Sequence, residues 1–269
     1  MNGFELRFAG VAMAALLASL AMPGMARAEL TVAEIATGDG NEVAVDTLRK
    51  AVDEHVDVLL NYRDMNRERQ LPVDDKAIKE QAAKGKSATY ATAEYRVTTK
   101  DGKLATYTYV AKSGPDLPDV VKNFEGDLSV YQTTRDVRMA RVNFDDVESS
   151  FWHSPGHDIR VADAELKLAR TIERDLVLGK VPKGGDLSIW ISQEPCLSCS
   201  SVLTAFDQKY FSGQKMRVRY APANPEKRLD APSARFHRQR VASLEPLRKE
   251  SVRGSWFRSR SPSPTSFCP

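Results

Sequence analysis

Val161-Ala162-Asp163-Ala164-Glu165-Leu166-Lys167-Leu168 opens the stretch from which the fold of this chain is read. From Val161 to Leu178 the apolar residues Leu168, Ile172 and Leu176 recur at helical spacing with Ala169 beside them, and Gly179 stops the run. Asp186 to Ser192 then alternates Leu187, Ile189 and Ile191 with other residues, as a strand does. Cys199 to Tyr210 returns to helical spacing through Val202, Leu203 and Phe206, and Met216, Val218 and Tyr220 alternate again. Helix, strand, helix, strand in that order predicts a parallel crossover unit with helices packed on a sheet. Ligands in such open sheets collect beyond the carboxyl ends of the strands, where Glu194-Pro195-Cys196 leaves one.

Two short patterns fall at the starts of those helices. Asp163-Ala164-Glu165 is followed, after 29 intervening residues, by Pro195-Cys196-Leu197-Ser198-Cys199. Two cysteines three apart at a helix start can reach one metal ion, and the partial positive charge of a helix N-terminus favours their thiolates. With Asp163 as a third ligand, a zinc ion would keep its fourth position open, and Glu165 would serve as general acid/base. Taken alone, Asp163 and Glu165 equally suit an ordinary helix start, Asp163 as the N-cap and Glu165 in favourable contact with the dipole. Cys-x-x-Cys also suits a thiol–disulfide couple, and three ligands suit a structural zinc site without catalysis.

At these residues the chain resembles the zinc-dependent cytidine/nucleobase deaminases, whose pattern is His-x-Glu followed by Pro-Cys-x-x-Cys. The run Asp-x-Glu-x-Lys with a downstream Glu-Pro-Cys-x-x-Cys is most similar to the deaminase toxins of bacterial polymorphic-toxin systems. The resemblance covers Thr89 to Ala221, about half the chain. It implies a cytidine-deaminase-like α/β fold, a three-layer α/β/α arrangement with a mixed sheet. It implies Zn2+ held by Asp163, Cys196 and Cys199, with Glu165 moving protons. It also implies a substrate that is single-stranded nucleic acid or nucleotide, cytosine rather than adenine, and a cognate immunity protein that blocks the pocket. The departure is Asp163, which stands where His or Cys is usual. Two thiolates and a carboxylate leave a zinc site formally −1, which lowers the ion's Lewis acidity.

The rest of the 269 residues is arranged around that domain. Met1 to Ala28 has the form of a secretory signal: Arg7, an apolar run from Val11 to Met22, Pro23-Gly24, then Ala26-Arg27-Ala28 as a cleavage site. That run is too short to span a bilayer, so no membrane span is expected in the mature protein. Residues 29–86 are expected to be a small helical region. Asp46 caps a long helix striped by Leu48, Val52, Val56 and Leu59, and Asp74 and Asp75 start a second. His55 within it is expected at the surface.

Residues 87–225 are expected to form the deaminase-like domain that the resemblance implies, beginning with β-formers on either side of the turn pair Asp101-Gly102. Trp152 and His157, on a loop before the active-site helix, are candidates for contact with a base. The net charge of +3 is uneven: from Lys227 onward ten Lys/Arg face three Asp/Glu. Residues 226–269 are expected to be a basic, disordered tail. Three cysteines exclude a disulfide-rich scaffold, and Cys268 lies in that tail.

Overall fold

Asp101-Gly102 closes the hairpin from which the sheet grows. Gly102 takes a φ of +78°, the left-handed region where a side chain is strained. The hairpin joins β2 (Tyr90–Thr98) to β3 (Leu104–Lys112) in an antiparallel register running from Tyr90↔Lys112 to Thr98↔Leu104. The computed structural model describes residues 30–35, 41–116, 137–142, 149, 151, 161–222 and 232–247. Around the hairpin it places β1 (Thr31–Glu34), β4 (Val137–Met139), β5 (Asp186–Ile191) and β6 (Met216–Tyr220). The helices are α1 (Asn41–Glu68), α2 (Asp75–Gly85), α3 (Ala164–Val177), α4 (Leu197–Tyr210) and α5 (Pro232–Ser243).

Strand order is β1-β6-β5-β2-β3-β4. The pairs β5–β6, β1–β6 and β3–β4 are parallel, whereas β2 is antiparallel to both β3 and β5, so the sheet is mixed. The crossover read from the sequence is therefore present: β5, α4 and β6 form a parallel unit.

Alternation along the strands sends side chains to two cores. Ala91, Ala93 and Tyr95 of β2, with Leu187, Ile189 and Ile191 of β5, pack with Leu168 and Ile172 of α3 and Phe206 of α4. On the other face Tyr90, Val110 and Trp190 pack with Leu48, Val52, Val56 and Leu59, the expected stripe of α1. The sheet thus lies between two helical layers. Burying each such side chain stabilises by about 1.5–3 kcal/mol.

Four expectations are corrected. β1 lies in the region expected to be helical; its four residues are all exposed and carry no alternation, and only pairing with β6 makes them a strand. α1 begins at Asn41, so Asp46 is inside the helix, where it neighbours Arg49 at 3.8 Å. His55 is not at the surface but 8% exposed, because the sheet covers that face of α1. Residues 232–247, expected to be part of a disordered tail, carry α5, whose Phe236, with Leu244 and Leu247 beyond it, joins the α1 core. Pro232 stands at its first position, where a missing N–H costs nothing.

The signal stretch 1–28 and the remainder of the basic tail, with Cys268, lie outside the described residues. No helix among the described residues is long and apolar enough to cross a membrane.

Candidate metal centre

Topology brings the two sequence patterns together. α3 precedes β5 and returns the chain to its start, so the N-terminus of α3 lies at the carboxyl end of β5, where α4 begins. Ser192, just past β5, is tied to β2 twice: its N–H donates to Tyr90 O at 2.8 Å and its Oγ accepts from Tyr90 N at 2.8 Å. The chain then reaches Cys196, the N-cap of α4, while Asp163 is the N-cap of α3.

The three proposed donors converge. Cys199 Sγ is 3.2 Å and Cys196 Sγ 4.0 Å from Asp163 Oδ2, and the sulfurs are 3.1 Å apart. Zn–S and Zn–O bonds of about 2.3 and 2.0 Å put tetrahedral edges at about 3.5–3.8 Å. The donor atoms therefore sit close to the spacing one ion requires. Among the described residues this is the one group of three His, Cys, Asp or Glu with metal-binding spacing. Asp163 makes no side-chain capping hydrogen bond, although it occupies the cap position. Its carboxylate is turned to the thiols instead.

Electrostatics explains why the cluster suits a cation. Cys196 Sγ accepts from Cys199 N–H at 3.4 Å and lies 3.1 Å from Ser198 Oγ. Such contacts and two helix N-termini favour negative charge. Against this, Cys199 is 2% exposed, and burial, followed by the charge of Glu165 and contacts with Cys196 and Asp163, pushes its thiol far above the ordinary range. A divalent ion removes that conflict, because it replaces repulsion among acids with attraction. The donor set, two soft sulfurs and one oxygen, is chemically suited to zinc.

Glu165, 4% exposed, sits in the first turn of α3, near enough to act on Cys199. α3 is anchored along its length by buried polar side chains. Lys167 Nζ donates to Asp116 Oδ1 at 2.7 Å and to Gly114 O at 2.6 Å, and Gly114 N–H donates to Ala162 O at 2.9 Å. Arg170 holds Val142 O and Phe151 O, Glu173 accepts from Tyr210 Oη and Ser149 Oγ, and Asp175 pairs with Arg138. These contacts fix the turn that presents Asp163 and Glu165.

Asp163, Glu165, Cys196 and Cys199 are thus brought to one place, whereas Trp152 and His157 lie outside the described residues. The sequence reading missed Asp116 and the burial of Lys112 and Lys167. The only available signal was Lys167 one turn after Asp163. Compared with known proteins, the chain matches no family model, no curated protein and no solved structure.

Proposed function

We propose that this protein is a zinc-dependent deaminase that hydrolyses the exocyclic amine of cytosine in single-stranded nucleic acid or nucleotide. The observation that carries the reading is the convergence of Asp163, Cys196 and Cys199 within 4.8 Å of one another beside Glu165. The strand order, with both helix starts at one end of a mixed sheet, supports the deaminase-like form of the α/β fold.

Zinc bound there supplies Lewis-acid activation of water at neutral pH. Asp163 and the two cysteines would hold it. Glu165 takes the proton of the attacking water and returns it to the ring nitrogen; a second transfer to the amine lets ammonia leave as a carbonyl forms. Burial of Glu165 keeps bulk water from competing for that proton.

The resemblance to toxin deaminases extends the proposal to export through residues 1–28 and to an immunity protein that covers the pocket. The test is ammonia release together with uracil formation from single-stranded DNA, single-stranded RNA and free nucleotides. Turnover on one of them is expected; none on any would end the enzymatic reading.

The Sγ–Sγ distance of 3.1 Å supports one other reading, an exported thiol–disulfide couple. That chemistry needs neither Asp163 nor Glu165. If alanine at both left activity intact while Cys196→Ser abolished it, redox would replace deamination.

A further inference from the structure

One turn along α3 from Asp163, a small cavity lies at the same end of the sheet, its wall part apolar, from Val58 and Met139, and part polar. It is bounded by His55 of α1, Gln81 of α2, Lys112 at the end of β3, Asp116 and Lys167. Tyr90↔Lys112 and Ala91↔Ile191 pair across β2, so Lys112 and the exit of β5 lie at one edge.

The charges around this cavity do not cancel. Lys167 is neutralised by Asp116, at 2.7 Å. Lys112 is 6% exposed, and its Nζ donates only to Ser113 O, at 2.9 Å; among the described residues no carboxylate lies within ion-pair distance of it. Buried charges are ordinarily paired. His55 Nε2 is buried without a hydrogen-bond partner among the described residues, and the buried Gln81 lines the same cavity. Burial and Lys167 lower the Lys112 ammonium to about 8, and the nearby Asp116 offsets only part of that. Burial, Lys112 and Lys167 hold His55 well below the usual imidazole value, so it is uncharged at neutral pH.

An imidazole, an amide and an ammonium reach the cavity from three elements. Donors from several sides suit a tetrahedral oxyanion better than a planar carboxylate. The cavity volume is about 30 Å³. On the scale where one water needs about 10–15 Å³, that is room for about two or three oxygens of a group that reaches in from the open side, and not for a nucleobase. We propose that this cavity binds a single phosphate group, with Lys112 as its counter-ion and His55 Nε2–H and the Gln81 amide as donors. The group is either a phosphate of the substrate or free inorganic phosphate.

The test is thermal melting of the full chain with inorganic phosphate, against potassium chloride at equal ionic strength. Phosphate at a hundredfold over its Kd is expected to raise Tm by about 5–10 °C. Lys112→Met is expected to melt at least as high as the parent without phosphate, since it removes an unpaired buried charge, and to bind phosphate at least about tenfold more weakly. Gln81→Leu, which alters no charge, is a second variant expected to weaken the phosphate shift. No shift beyond the chloride control, or an undiminished shift in both variants, would overturn the proposal.

Cytidine and cytidine 5′-monophosphate distinguish the two sources. A nucleotide that binds more tightly than the nucleoside and displaces phosphate assigns the site to the substrate. Phosphate bound without competition assigns it to the free ion. The melt does not depend on turnover, so this proposal and the deaminase reading fail separately.

Discussion

Asp74 and Asp163 both stand at helix N-caps, yet only one of them caps. Asp74 Oδ1 accepts from Ala77 N–H at 3.0 Å and so satisfies one of the amides that a helix start leaves open. Asp163, in extended backbone conformation at the same position of α3, makes no such bond and lies 3.2 Å from a buried thiol. One residue type at one kind of position serves the backbone in the first case and the site in the second. A cap is a stability device worth about 0.5–2 kcal/mol. A carboxylate withheld from that role and held against two thiols is what a metal ligand requires.

The largest effect expected is on turnover. Glu165→Gln should lower it by about 10²–10⁴-fold while zinc stays bound, because in the proposed reaction the glutamate moves protons and does not hold the ion. A parent-like rate in this variant would remove Glu165 from the chemistry.

Asp163→Ala sharpens the comparison directly. It should weaken zinc binding by at least about a hundredfold, an effect far larger than its cost to the metal-free fold, since no cap is lost. Unchanged zinc affinity with a loss of cap-sized stability would make Asp163 a second Asp74.

The pH dependence is smaller and has a definite sign. The Cys199 thiol holds its proton well above the ordinary range, and the metal-bound form must release it. Zinc affinity should therefore rise with pH, by about tenfold per unit for each thiol proton displaced. In metal-free protein the folded thiol keeps a proton that the unfolded chain loses, so stability should fall as pH rises through the unfolded thiol range. Metal titrations and melts across pH 6–9, roughly the range about the ordinary thiol pKa, would measure both; zinc affinity independent of pH would contradict a thiolate site.

The smallest effect is the control. Asp74→Ala should cost about 0.5–2 kcal/mol, read from denaturant melts, and leave zinc affinity untouched.

The parts of the fold legible in the sequence are those whose pattern is local. The Asp101-Gly102 hairpin, the Leu168–Ile172–Leu176 stripe, the alternation of β5 and β6 and the stripe of α1 each declare themselves within a few turns or pleats. What depended on distant partners did not. β1 is a strand because β6 is beside it, and His55 is buried because the sheet covers α1. α5 was legible in principle: Phe236, Arg240, Leu244 and Leu247 keep helical spacing, but the basic composition of the segment obscured it.

The same division holds at the sites. Asp163, Glu165, Cys196 and Cys199 could be found because their two short motifs have chemical meaning. The cavity beside α3 could not, because His55, Gln81, Lys112 and Lys167 come from four elements whose meeting only the fold creates.

Zinc content measured on reduced, purified protein tests the central claim most directly. The account expects one zinc per chain, lost in Cys196→Ser and in Cys199→Ser and retained in Glu165→Gln. Reduced protein without stoichiometric zinc, or a cysteine variant that keeps it, would contradict the claim that Asp163, Cys196 and Cys199 form a metal centre.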